Sequence, residues 1–170
     1  EYAMRPVNTI HALASEAPPL TEPIVVFRGN GRAGAVFGVP WVTEPGGIHV
    51  SAIDDDGNDI VDPRTKPYTD AVAAEWKKRV GSIVRENGFL STSADQKFVK
   101  QWVARRRYDG LPSTYYEITL PKGTRGLYMP NFSGSRGFDA EREFLLPPGS
   151  RLRVDRVLPP TKTRHGFLVK

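Results

Sequence analysis

Residues 138–146, Phe-Asp-Ala-Glu-Arg-Glu-Phe-Leu-Leu, place two acidic side chains directly before an apolar run. Alternate side chains of an extended strand share a face, so Glu141 and Glu143 can project together with Cα atoms about 6–7 Å apart. The apolar residues predict a buried strand, and the acids then lie at the mouth of the loop that feeds it. A Glu-x-Glu pair alone is more typical of a solvated surface, so its interpretation depends on the rest of the chain.

The composition is that of a soluble globular protein. A chain of 170 residues with 39% apolar and 25% charged residues fits one domain around a single core. No apolar run approaches the ~20 residues of a membrane span. The sequence begins with Glu1, not Met, and shows no basic start followed by an apolar signal core, which suggests a region excised from a longer protein. The net charge of +5 favours acidic partners or ligands, including the phosphates of a nucleotide or of nucleic acid.

The cysteine and histidine content excludes several kinds of site. The chain has no cysteine, which rules out disulfides, thiolate zinc sites and a cysteine nucleophile. The three histidines, His11, His49 and His165, are far apart in sequence and lack metal-binding spacing. The sequence therefore predicts a site without a metal.

The first half of the chain predicts a tail followed by a strand and a helix. Proline-rich residues 1–23 indicate a linker or N-terminal tail, with a short helix around residues 9–14, and the folded domain is predicted over residues 24–170. The β-branched run at residues 24–27 predicts a buried strand that ends on an arginine. Apolar residues at helical spacing predict a helix over residues 69–87.

The second half predicts one more helix and then mainly strands. Ser93-Ala94-Asp95-Gln96 has capping-box spacing and predicts a helix that begins after Ser93 and runs to about Arg107. The predicted strands cover residues 89–92, 115–120, 126–129, 144–146, 151–158 and 167–169. Because few helices lie between these strands, we expect antiparallel pairing and an α+β domain.

Three short motifs stand in a fixed order: Val-Phe-Arg-Gly at 26–29, Gly-Phe-Leu-Ser-Thr-Ser at 88–93, and Phe-x-x-Glu-x-Glu at 138–143. With the Pro-Lys-Gly turn at 121–123 between the last two, this combination resembles the R-S-E class of mono-ADP-ribosyltransferases. That class includes many bacterial toxins and the vertebrate arginine-specific ectoenzymes. The resemblance implies an ADP-ribosyltransferase-like fold, in which two mainly antiparallel sheets form a cleft with flanking helices.

The resemblance also implies a binding site for NAD⁺. Arg28 would hold the pyrophosphate side of NAD⁺, and the backbone of Gly29 would meet the nicotinamide amide. Ser91 would hydrogen-bond Glu143 and keep it aimed. The other residues implied at this site are Thr92, Ser93, Phe98, Trp102 and Arg105. Phe98 and Trp102 are alternative candidates for the aromatic residue that clamps the cofactor. Both lie on an apolar stripe of the predicted helix, which favours the alternative that they pack into the hydrophobic core.

The last motif would carry the chemistry. Glu143 is similar to the catalytic glutamate of the family, which binds the 2′-hydroxyl of the nicotinamide ribose. Glu141 would be the acid on the acceptor side, and Phe138 the aromatic residue of the substrate-recognition loop. In the family, Glu at the position of Glu141 accompanies arginine modification, whereas Gln there accompanies asparagine or nucleobase targets.

The sequence thus predicts an NAD⁺-dependent ADP-ribosyltransferase, a glycosyltransferase that modifies an arginine of a target protein. It is predicted to be the toxin or effector portion of a secreted or delivered protein that acts in the cytosol of a target cell, away from membranes. The target protein is the predicted partner, and an immunity protein is a candidate partner whose existence the sequence leaves open. Three further readings stay open. The acceptor is RNA or DNA, as suggested by the basic residues Lys97, Lys100, Arg105, Arg106 and Arg107; the acceptor is water, as in an NAD⁺ glycohydrolase; or the domain is a non-catalytic binding module.

Overall fold

A computed structural model describes residues 4–30, 66–105, 113–129, 142–160 and 166–170. The described residues form three helices: α1 Met4–Glu16, α2 Lys66–Arg79 and α3 Gln96–Arg105. They also form nine strands: β1 Ile24–Asn30, β2 Ile83–Arg85, β3 Leu90–Ser93, β4 Ser113–Leu120, β5 Leu127–Tyr128, β6 Glu143–Leu146, β7 Arg151–Arg153, β8 Val157–Leu158 and β9 Gly166–Val169.

The strands belong to two sheets. The larger has seven strands in the order β5-β6-β3-β1-β4-β9-β8, and the smaller consists of β2 and β7. The pairs β1/β3, β3/β6, β5/β6, β8/β9 and β2/β7 are antiparallel, whereas β4 and β9 run parallel. The predicted α+β class with two mainly antiparallel sheets is confirmed.

The chain divides into two units, and the first contains residues 1–28, 83–99 and 117–153. Strand β6 is buried on both faces in this unit, which explains its continuous apolar sequence. Phe144 and Leu146 join one core cluster with Val26, Leu90 and Leu120. Leu145 points into a second cluster with Ala14 of α1 and Leu127 of β5. The polar residue that begins β6 is Glu143.

The second unit contains residues 29–82, 100–116 and 154–170. Helix α2 buries Val72 and Trp76 at four-residue spacing. Trp76 contacts Tyr116 edge-to-face at a ring distance of 6.0 Å. The first half of β4 pairs in parallel with β9, where Thr114 lies opposite the fully buried Phe167.

The helix predicted over residues 69–87 is wrong in its last eight residues, 80–87. Helix α2 ends at Arg79, and Gly81 then adopts a left-handed conformation with φ of +84°. Residues 83–85 leave the helical path and pair with β7. Helical spacing of apolar residues does not distinguish a continued helix from a three-residue strand whose partner lies far away in the sequence. The strand predicted over 151–158 is likewise divided into β7 and β8.

The N-terminal helix is longer than the sequence predicted. It covers residues 4–16, not only residues 9–14, and Ala14 is completely buried. The segment that follows is attached by the Leu20 amide, which donates to the Thr124 carbonyl at 2.9 Å, and by Arg125 Nη1, which donates to the Ala17 carbonyl at 2.6 Å. The predicted domain boundary at residue 24 stays a prediction. None of the described helices combines the length and apolar character that a bilayer crossing requires.

Replacing Gly126 with alanine is expected to destabilise the protein by about 1–3 kcal/mol. A Cβ at this position would overlap Phe144 Cε1 and lie 3.0 Å from the Leu145 carbonyl oxygen, so the Phe144 ring or strand β5 must shift. Urea unfolding measures the loss. Gly88→Ala is the matched control, because a Cβ there meets nothing within 4 Å, and an equal loss in both variants would contradict the steric explanation.

Candidate active site

Three strands of the first unit align the three sequence motifs in one row. Phe27 of β1 pairs with Ser93 of β3, and Ser93 pairs with Glu143 of β6. Directly opposite residues of an antiparallel pair project to the same face. The strand register thus brings residues from the start, middle and end of the domain to one edge of the ladder.

The central contact of the site joins Ser91 to Glu143. Ser91 Oγ donates a hydrogen bond to Glu143 Oε1 at 2.6 Å, between residues 52 positions apart in the sequence. Ser91 lies two residues before Ser93, so this bond crosses the ladder diagonally, which a glutamate side chain is long enough to do. Ser91 is exposed and Glu143 is half-buried. The carboxylate is therefore oriented by the serine and accessible to a ligand.

Arg28 approaches the same serine from strand β1. Its Nη1 donates to the Ser91 carbonyl oxygen at 3.4 Å. A guanidinium carries five N–H donors, and that of Arg28 has no other hydrogen bond or ion pair with the residues that the structure describes. The site thus presents a cation with donors available for an anionic ligand and a carboxylate, both held through Ser91.

The other two residues of the Ser-Thr-Ser motif stabilise the backbone around the site. Thr92 is 3% exposed, and its Oγ1 donates to the Phe144 carbonyl at 2.6 Å. Ser93 is also buried, and its Oγ accepts from the Asp95 amide at 2.9 Å. The Thr92 contact joins β3 to β6, and the Ser93 contact holds the turn that follows β3. A direct role of Thr92 and Ser93 at NAD⁺ stays a prediction.

Helix α3 begins two residues later than the predicted cap implies. Asp95 Oδ1 accepts from the Phe98 amide at 3.0 Å, the bond of an N-cap side chain to the third helical residue. The prediction that Ser93 caps the helix is therefore wrong, because the Ser93 hydroxyl forms a turn with Asp95 instead. Helix α3 therefore begins after the paired residues Ser93 and Glu143, not at Ser93 itself.

Sequence reasoning missed the backbone conformation of Arg142. This residue has φ of +44°, in the left-handed region, and its carbonyl accepts from the Ala94 amide at 2.9 Å. Non-glycine residues in this region are uncommon and are found preferentially at functional sites. Arg142 lies immediately before Glu143, so its conformation sets the direction in which β6 begins. Arginine has no special preference for this conformation, so the sequence carries no signal for it.

The remaining predicted residues fall into two groups. Gly29 follows Arg28 in β1, while Phe98 and Trp102 are half-buried one turn apart on α3, which ends at Arg105. Phe138 and Glu141 lie outside the described residues. Within the described ranges, no three His, Asp or Glu side chains are grouped so as to hold a metal ion.

Comparison with known families identifies the chain. The sequence profile of the ADP-ribosyltransferase exoenzyme family matches residues 4–169. The chain belongs to this family. No curated protein sequence matches it.

Solved structures of the family support the same fold. A C3-type ADP-ribosyltransferase from Clostridium botulinum aligns with a TM-score of 0.59 at 18% identity, covering 96% of this chain and 65% of that chain. The ADP-ribosyltransferase toxin Plx2a from Paenibacillus larvae aligns with a TM-score of 0.61 at 19% identity, covering 99% of this chain and 70% of that chain. C3stau2 from S. aureus, solved with NAD, aligns with a TM-score of 0.52 at 19% identity, covering 88% and 60%.

These comparisons bear on the fold and on chain length. The ADP-ribosyltransferase fold predicted from the sequence is confirmed. The chain spans about two thirds of the length of the solved relatives, namely 65% of the Clostridium botulinum enzyme and 60% of C3stau2.

Proposed function

We propose that this chain is the catalytic domain of a mono-ADP-ribosyltransferase that transfers ADP-ribose from NAD⁺ to an arginine of a target protein and releases nicotinamide. Its natural setting is a bacterial toxin or effector delivered into a target cell. The proposal takes the Arg28, Ser91 and Glu143 motif as the R-S-E signature of the family. The observation that carries it is the 2.6 Å bond from Ser91 Oγ to Glu143 Oε1, with Arg28 bound to the same serine.

Arg28 suits the phosphate side of NAD⁺. A planar guanidinium binds phosphate oxygens through two parallel N–H donors, and its charge is permanent. Its bond to the Ser91 carbonyl limits where the guanidinium can point. NAD⁺ would then bind as a substrate held at its pyrophosphate, with the nicotinamide ribose directed toward Glu143.

Glu143 suits the bond-breaking step. Cleavage of a glycosidic bond builds positive charge on the sugar, as in glycoside hydrolysis, and a carboxylate near the 2-hydroxyl stabilises that charge in the transition state. The half-buried position of Glu143 strengthens this interaction relative to one in bulk water. Ser91 holds the carboxylate in place, so that little reorganisation is needed as the charge develops.

Glu141 is proposed to act on the acceptor. An arginine guanidinium stays protonated in proteins, so an acid beside it would orient the group and accept its proton as the new bond forms. In this step the arginine nitrogen bonds to the anomeric carbon as the glycosidic bond to nicotinamide breaks. Nicotinamide leaves, and the proton of the arginine nitrogen passes to Glu141.

Ser91→Ala is expected to lower kcat for NAD⁺ turnover about tenfold to a hundredfold, because a hydrogen bond to a charged group is lost. The KM for NAD⁺ and the thermal midpoint should change little, since the Ser91 side chain is exposed. Steady-state kinetics with nicotinamide release as the readout measure the split. Ser91→Thr retains a hydroxyl and should restore most of the rate; failure of this rescue would contradict a role in orienting Glu143.

The function is tested with labelled NAD⁺. The purified domain is incubated with NAD⁺ labelled in the adenylate portion and with cell extract, and the products are then treated in parallel with protease and nuclease. We expect protease-sensitive, nuclease-resistant label together with released nicotinamide. Nuclease-sensitive label would instead support RNA or DNA as the acceptor, which the exposed Lys97 and Lys100 on α3 would suit.

The same reaction distinguishes hydrolysis of NAD⁺ from binding alone. Release of nicotinamide without labelled macromolecule would identify an NAD⁺ glycohydrolase. If NAD⁺ is not consumed at all, the domain is a binding module and the proposed function is wrong.

A further inference from the structure

The small sheet of β2 and β7 carries like charges at directly opposed positions. Arg85 pairs with Arg151 in the ladder, and Ile83 pairs with Arg153. Side chains at such opposed positions have Cβ atoms about 4.5–5.5 Å apart, and like charges there repel. We call these four residues the basic face.

The opposite face of this small sheet is the one that packs inward. Val84 pairs with Leu152, and Leu152 packs against the core cluster that contains Val26 and Phe144. Because side chains alternate along each strand, the basic face points away from that core. Its three arginines are all exposed, and Ile83 is 56% exposed.

The opposed pair of Arg85 and Arg151 is not neutralised by an ion pair within the described part of the protein. Neither Arg85 nor Arg151 forms an ion pair with a described residue. The Arg85 guanidinium lies over the turn before β7. If Gly149 in that turn carried a Cβ, the Cβ would lie 3.5 Å from Arg85 Nη2. Two arginines at directly opposed positions and an exposed isoleucine therefore share one face of the small sheet, an arrangement that an anionic partner would stabilise.

The basic face lies at the far end of the β3/β6 ladder from the candidate active site. The ladder runs from the Ser93–Glu143 pair to the Leu90–Leu146 pair, and the two strands of the small sheet join it at the latter end. Three residues of strand span about 10 Å. Substitutions on the basic face should therefore leave the bond between Ser91 and Glu143 intact.

The chemistry of the basic face favours a protein over a nucleic acid. Proteins that grip nucleic acid strands commonly add aromatic side chains on which bases stack, and the four positions of this face hold none. Instead they combine guanidinium groups with an exposed aliphatic side chain, and arginine is enriched in protein interfaces.

We propose that the basic face is a docking site for an acidic segment of a partner protein, with carboxylates against Arg85 and Arg151 and an apolar side chain against Ile83. The inference does not rest on the proposed transferase activity, because docking is measured without NAD⁺. Where the transferase acts, such a surface would hold a partner while leaving the site around Glu143 accessible.

Binding is tested by fluorescence anisotropy with three labelled probes and the purified domain. The probes are a short peptide of glutamates around one leucine, the same peptide with glutamine in place of glutamate, and a duplex DNA. The acidic peptide should bind, and the glutamine peptide should not. The affinity of Arg85→Gln/Arg151→Gln for the acidic peptide should fall about tenfold. Its thermal midpoint should stay the same or rise, because the opposed charges are removed.

The matched control removes the same net charge elsewhere. Lys77 and Lys122 are both exposed, and Lys77→Gln/Lys122→Gln should change the affinity by no more than about twofold. Ile83→Ser should weaken binding of the acidic peptide without changing its dependence on salt. Equal losses in the two double variants, no binding of the acidic peptide, or DNA binding through the same arginines in its place would each overturn the proposal. Unchanged binding by Ile83→Ser would overturn its apolar part.

Discussion

Glu143→Gln is expected to reduce NAD⁺ consumption at least about a hundredfold, in transfer to an acceptor and in hydrolysis alike. Both reactions require cleavage of the same glycosidic bond, and a neutral amide cannot stabilise the positive charge that develops on the ribose. Release of nicotinamide and transfer of labelled ADP-ribose are measured side by side. Glu143→Ala should give the same loss.

Glutamine makes this test specific for charge. Its amide oxygen can still accept the hydrogen bond from Ser91 Oγ that Glu143 Oε1 accepts at 2.6 Å. We therefore expect the thermal midpoint to be unchanged. Glu22→Gln is the matched control, since Glu22 is exposed and takes no part in the candidate site. A variant that keeps normal NAD⁺ turnover with glutamine at position 143 would show that this carboxylate is not catalytic.

Glu141→Ala is expected to abolish transfer to arginine and to leave some hydrolysis of NAD⁺. If Glu141 acts on the acceptor, its loss leaves Glu143 and Arg28 able to open the glycosidic bond, and water takes the place of the guanidinium. The two products, labelled protein and free ADP-ribose, are quantified in one reaction. We expect the ratio of transfer to hydrolysis to fall at least about tenfold, as for loss of a general base.

A neighbouring acid provides the control for this second variant. Asp139 lies two residues before Glu141, and the sequence predicts it to be solvated, so Asp139→Ala should keep both reactions. Transfer that persists in Glu141→Ala would argue against arginine as the acceptor. Loss of both reactions would instead assign Glu141 to NAD⁺ cleavage together with Glu143.

Local patterns predicted most of the individual elements. The β-branched run at 24–27, the alternation at 115–120 and the apolar run at 144–146 all correspond to observed strands. Such patterns work because burial of a strand depends on which of its own residues are apolar. The prediction was wrong over residues 80–87 because the chain leaves the helix at Gly81, and residues 83–85 then form a strand by pairing with β7.

At the candidate site, the residues could be predicted from the sequence, but their proximity could not. The resemblance of three short motifs to a known family selected Arg28, Ser91 and Glu143 as candidates, and the chemistry of guanidinium and carboxylate groups agrees with the roles that the resemblance implies. Their proximity depends on strand register. Ser91 is 52 residues from Glu143 and 63 from Arg28, and only the pairing of β1, β3 and β6 brings them together.

The backbone conformation of Arg142 has no local signal. Its left-handed φ accompanies a hydrogen bond from the Ala94 amide to the Arg142 carbonyl, which forms only once β3 and β6 are side by side. Side-chain chemistry and the spacing of apolar residues are properties of the sequence, so they can be recognised without knowledge of the fold. Register, backbone strain and the meeting of distant groups are settled by long-range pairing and packing, in which every strand must satisfy its neighbours at once.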